Sequence, residues 1–164
     1  GEFLMRTRQN RILQILFTVA AAGWIAFVFS NSMLNAEQSS ANSAGFFNAL
    51  QNLFNAVGLL FGLAEYGIRK AAHFAEFAVL GILLMVAVRM YSPRPVRHLF
   101  PPFFIGLATA VTDEYIQLFS KGRSSQVGDI VLDFAGLAAG IVICLLVICL
   151  VDRRRQRNSL RYHF

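Results

Sequence analysis

The order of apolar and polar positions divides this chain into four long apolar runs, at residues 12–29, 71–91, 99–119 and 127–151, separated by polar stretches. Each is close to the ~20 apolar residues that an α-helix needs to cross a hydrocarbon core. The pattern therefore predicts four transmembrane helices. The longest interval, residues 30–67, divides in two. Its first part, SNSMLNAEQSSANS, is polar and rich in turn formers, and reads as a loop. Its second part, FFNALQNLFNAVGLLFGLAE, has a helical period: Phe46, Leu50, Leu53, Val57 and Leu60 share one face, with Asn48, Gln51, Asn52 and Asn55 opposite. A face that polar suits the membrane interface better than its interior. Residues 46–63 are expected to form an amphipathic helix on the outer surface or capping the bundle; a re-entrant fifth element is the alternative. The sequence shows no internal repeat.

Composition agrees with a membrane protein. Of 164 residues, 56% are hydrophobic and 16 are Phe, and the mean hydropathy is +0.54, too apolar for a soluble domain of this length. The net charge of +6 does not point to nucleic acid, because the basic residues flank apolar runs and form no single face. Cys144 and Cys149 sit inside an apolar run and read as packing residues, with neither a disulfide nor a metal assigned to them. Residues 1–4 read as a cloning scar, 5–151 as one transmembrane domain and 152–164 as a basic cytoplasmic tail. The first apolar run lacks a small-residue cleavage site and is expected to remain as an anchor.

Charge sets the expected orientation. Arg6, Arg8, Arg11, Arg89, Arg94, Arg97, Arg153, Arg154, Arg155, Arg157 and Arg161 fall on one side of a four-span arrangement. Arg69, Lys70, Lys121 and Arg123 fall on the other. The positive-inside rule then places both termini in the cytoplasm, with the tail near anionic headgroups.

The polar residues within the runs carry the chemistry. His73 and Glu76 are three apart and share a helix face that Arg69 and Lys70 extend; Glu76 lies about 10 Å below Arg69. Asp113, Glu114 and Gln117 sit about one turn inside the end of the third run, and Asp129 and Asp133 open the fourth. In a four-span topology all three sets lie at one depth, near the outer leaflet. The other halves of these runs are nearly free of polar groups. An ionisable side chain facing lipid costs about 3 kcal/mol or more, so the economical arrangement turns the three sets inward to a shared, outward-open pocket. Gly136-x-x-x-Gly140 would let another helix approach closely there.

Two readings of this layer compete. In the structural one, Lys70, His73 and Arg123 simply neutralise Glu76, Asp113, Glu114, Asp129 and Asp133. In the functional one, the layer is a binding or catalytic site. Crowded carboxylates repel, so one can hold a proton near neutral pH as a general acid, and His73 can act as base. Arg123 can grip a phosphate or carboxylate. His73, Glu76 and an aspartate could instead hold a divalent ion, but an H-x-x-E pair is common by chance and no metal ligand is assigned. Ser124 and Ser125 lie in no context that marks a nucleophile. A small transporter is disfavoured, because no polar pathway continues through the other half.

Taken in order, these residues resemble the VanZ-like family of bacterial membrane proteins. The resemblance rests on K-x-x-H-x-x-E (Lys70, His73, Glu76), D-E-x-x-Q (Asp113, Glu114, Gln117), G-R (Gly122, Arg123) and D-x-x-x-D-x-x-G (Asp129, Asp133, Gly136). The Ser-rich stretch FSNSMLNAEQSSANS after the first run is also similar. It covers roughly residues 12–151. Two positions depart from the pattern: Asp133 stands where the family usually has Asn, and Phe77 where Tyr is common. The resemblance implies a bacterial plasma-membrane protein, and the family's namesake lowers susceptibility to teicoplanin with little effect on vancomycin.

The sequence thus predicts an all-α membrane protein, a bundle of four transmembrane helices plus an amphipathic interfacial helix on the outer side. The expected function is to modify the envelope's outer leaflet and reduce susceptibility to lipoglycopeptides by binding or acting on a lipid-linked ligand. Lys70, Gln117, Arg123, Asp129 and Asp133 would bind, and His73, Glu76, Asp113 and Glu114 would do acid–base work if chemistry occurs. Membrane lipids or a lipid-linked envelope ligand are the expected partners, and nucleic acid is not. Whether the chain is an enzyme, its cofactors and its oligomeric state are left open by the sequence. The alternative is a non-catalytic assembly or binding module whose polar cluster is structural.

Overall fold

The computed structural model describes residues 2–33, 65–120 and 126–161. Among them every regular element is helical. Helix α1 is Glu2–Ser32 and α2 is Glu65–Tyr91. A 3-10 turn, Pro95–His98, follows. Helix α3 is Phe100–Gln117 and α4 is Val127–Arg161. The expected amphipathic helix at residues 46–63 lies outside the described residues.

Helices α1, α2 and α4 contain their apolar runs and extend past them into polar sequence, whereas α3 falls just inside its run. The extension of α1 matters most, because Ser30, Asn31 and Ser32, expected in a loop, form its last turn. Pro101 and Pro102 start α3 at positions where a missing N–H costs nothing and φ is already helical. Asp129 sits in the first turn of α4, where a carboxylate complements the exposed N–H groups.

Three helices are long and apolar enough to cross a membrane: Asn10–Ser32, Lys70–Tyr91 and Val127–Arg154. The expected four-span bundle is therefore not established. Helix α3 spans 18 residues, about 27 Å at 1.5 Å per residue. Its two prolines and the terminal Thr112, Asp113, Glu114 and Gln117 leave an apolar stretch shorter than a membrane span needs. It nevertheless carries the chain back along the bundle. Its C-terminal end meets the C-terminal end of α1, through Ser32 and Asp113. The opposite end of the bundle is tied by Gln14 donating to the Met90 carbonyl at 3.0 Å and by Arg89 Nη2 donating to both oxygens of Asp152 at 2.9 and 3.0 Å.

The most extensive packing joins α2 to α4. A Cβ at Gly81 would strike the Leu137 carbonyl, one at Gly136 the Phe74 carbonyl, and one at Gly140 the Ala78 carbonyl. The two backbones touch because these three residues have no side chains. Phe77, Leu80, Met85, Leu137, Ile141 and Val28 fill the core beside that seam. Outward faces carry Ile12, Ile15, Val19, Val131, Val142 and Leu146, all exposed, as helices solvated by lipid require.

Candidate functional site

The polar layer sits on this apolar core at the end where α2 and α4 begin and α1 and α3 finish. Helix α2 supplies Lys70, His73 and Glu76 on one face by their spacing of three. Helix α3 supplies Asp113, Glu114 and Gln117 from its last turns, and α4 supplies Asp129 and Asp133, four apart. These eight are brought into one neighbourhood. Arg123, the ninth expected site residue, lies outside the described residues.

Asp113 is fully buried and held from two sides. Ser32 Oγ donates to its Oδ1 at 2.5 Å, and Gln117 Nε2 donates to its Oδ2 at 2.8 Å. Ser120 Oγ in turn donates to the Ser32 carbonyl at 2.7 Å. Glu76 accepts from Asn31 Nδ2 at 2.9 Å, while its backbone carbonyl accepts from Trp24 Nε1, also at 2.9 Å. Glu114 Oε2 accepts from the backbone N–H of Gln126 at 3.2 Å, tying α3 to the segment entering α4. Lys70 Nζ and Asp129 Oδ1 form a partly exposed ion pair at 2.7 Å on the rim.

His73 stands between two acids. Its Nδ1 is 3.9 Å from Glu76 Oε2 and 3.9 Å from Asp113 Oδ2. Both distances exceed direct hydrogen-bond reach but suit an intervening atom. Asp133 is 1% exposed, and among the described residues neither of its oxygens has a hydrogen-bond partner. Asp113, Glu114, Asp129 and Glu76 all lie close enough to repel it electrostatically. A small cavity of about 20 Å³ opens beside it, lined by Lys70, His73, Glu114, Gln117, Asp129, Leu132 and Asp133. That volume holds about one water molecule or ion; among the described residues it leaves no room for a lipid headgroup in the buried layer. A roomier cleft lies elsewhere among the described residues. It measures about 490 Å³, is almost wholly apolar, and is lined by α1, α2 and α3 residues including Ala21, Ile25, Leu84 and Pro102.

Sequence reasoning missed the contribution of α1. Asn31, Ser32 and Trp24 each bond to a member of the layer. The signal was available: Asn31 and Ser32 follow directly on the first apolar run, at the depth assigned to the other three sets.

The helices and the buried ionisable layer define a helical integral membrane protein with a polar site at one end. A family model described as VanZ/LLP1 matches residues 17–148, and the chain belongs to that family. No curated protein and no solved structure matches it.

Proposed function

We propose that this chain is a bacterial plasma-membrane protein whose polar layer faces outward, alters the outer leaflet and lowers susceptibility to lipoglycopeptides such as teicoplanin. The observation that carries this reading is the convergence of ionisable groups from three helices, braced by the fourth, at one end of an otherwise apolar bundle. Family membership is consistent with a glycopeptide-resistance role. Four crossings, with the basic segments and both termini inside, would put the layer at the outer face; the end-to-end course of α3 supports that topology. The small cavity favours a division of work between rim and interior. Lys70 on the rim, with Arg123, would meet the anionic head of a lipid-linked ligand, and Asp129 would orient the Lys70 ammonium toward it. His73, Glu76, Asp113 and Glu114, with Gln117 and Asp133, would handle a proton, water or ion beneath it.

Susceptibility to teicoplanin and vancomycin in a Gram-positive host tests this, with empty vector, wild type and Glu76→Gln at equal membrane abundance. A teicoplanin-selective shift, lost in Glu76→Gln, is the expected result. No shift with the wild type, or an undiminished one in Glu76→Gln, rejects the reading.

A second reading has its own support. The bonds from Asn31 to Glu76 and from Ser32 to Asp113 fasten α1 to α2 and α3, as a structural cluster would. In that case Glu76→Gln should lower thermal stability in detergent strongly. In a functional site it should change stability little or raise it, because crowded like charges are a strain.

A further inference from the structure

We propose that His73, Asp113 and Asp133 form a binding site for one divalent transition-metal ion. Each offers one ligand atom, and these atoms lie within 4.8 Å of one another. They come from α2, α3 and α4, so the cluster is made by tertiary packing and not by spacing along one helix.

Asp133 is the observation that points to a ligand. It is buried to 99% of its surface, and among the described residues both oxygens are without hydrogen-bond partners. A buried carboxylate without donors is costly unless a cation or a proton compensates it. The nearby ammonium of Lys70 is engaged on the rim with Asp129.

The other two ligands are set for the same task. The bonds from Ser32 and Gln117 fix the Asp113 carboxylate, the kind of outer support that ligating carboxylates receive. His73 Nδ1 lies 3.9 Å from Asp113 Oδ2. Two metal–ligand bonds of about 2.0–2.2 Å can bridge such a separation with modest closure. Glu76 Oε2, also 3.9 Å from His73 Nδ1, stands by as a further acid. The cavity of about 20 Å³ beside Asp133 provides space for one water as an additional ligand. One imidazole nitrogen with two carboxylate oxygens suits Zn²⁺ or Mn²⁺. It suits Mg²⁺ less, which keeps several waters, and Cu⁺ less, which prefers sulfur.

This inference deepens the reading of the layer as a site and rests on it. Its test reads metal on purified protein and not susceptibility, so either can fail alone. The full chain in detergent would be stripped with chelator, loaded separately with Zn²⁺ and Mn²⁺, desalted and analysed for metal content. About one ion per chain is expected. Asp133→Asn should weaken binding tenfold or more while remaining monodisperse and helical, and Asp152→Asn, at the other end of the bundle, should bind as wild type. Should Asp133→Asn fail to fold, pulsed electron paramagnetic resonance of the Mn²⁺-loaded wild type decides. Imidazole nitrogen coupling should be present there and absent in His73→Gln. A proton held at Asp133 in place of a metal predicts no retained ion. That result overturns the proposal, as does equal retention by wild type and Asp133→Asn, or bound Mn²⁺ without nitrogen coupling.

Discussion

Ser32 shows what one residue decides here. Its hydroxyl is fully buried and donates at 2.5 Å to a carboxylate that is itself buried. Replacing it with Ala leaves one Asp113 oxygen without that donor, a loss of about 1–3 kcal/mol for a buried polar group. Ser32→Ala should therefore melt several degrees lower in detergent, and an unchanged midpoint would remove Ser32 from the layer. Ser30 provides the contrast. Among the described residues it bonds to the Ala26 carbonyl of its own helix, and it is exposed, so Ser30→Ala should leave the midpoint in place. Sequence alone could not separate these two serines. Both lie in one polar stretch, and which of them faces Asp113 depends on the rotation of α1 about its axis. Asp133 is the opposite case. Its departure from the family's usual Asn was visible in the sequence, but its lack of donors became visible only among its neighbours.

At the scale of elements, the α2–α4 seam controls how closely the layer's parts approach. His73 and Asp133 flank it, and Gly136 and Gly140 bring the α4 backbone onto that of α2. Gly140→Ala places a methyl group against the Ala78 backbone, which cannot rotate away as a side chain would. Overpacking of that kind costs about 1–3 kcal/mol, and the variant should show a lowered thermal midpoint. Gly23→Ala in α1 meets nothing within 4 Å and should be neutral or slightly stabilising, since Ala is the better helix former. If both variants melted alike, the close seam would be wrong. The Gly136-x-x-x-Gly140 spacing made this contact foreseeable. Gly81, which closes the seam from the other side, and Gly106, whose added methyl would strike the Leu137 side chain, carry no comparable motif.

For the whole molecule the number of bilayer crossings fixes which face carries the polar layer. Three helices qualify by length and composition. With three crossings the termini would lie on opposite sides; with α3 as a fourth they share one. Single cysteines introduced at Met5 and at Gln156, in a chain with Cys144 and Cys149 changed to Ala, would be labelled with a membrane-impermeant maleimide. Four crossings with cytoplasmic termini predict that both react only after permeabilisation. Labelling of either one in intact cells would contradict the proposed orientation and the outward placement of the polar layer.

By itself the sequence determined that the chain is helical and apolar, where the apolar runs fall, and that ionisable residues gather toward one end of three of those runs. Those properties depend on spacing and composition along a single segment. The tertiary structure decided that α1 completes the layer, that His73 stands 3.9 Å from two acids, that Asp133 is sealed without donors, and that the cavity beside it is the size of a water. Those outcomes depend on the rotation and approach of helices whose contacting residues lie dozens of positions apart, as Ser32 and Asp113 do. Such rotation and approach are set by side-chain packing across helices, which the local pattern encodes only in part, as at Gly136 and Gly140.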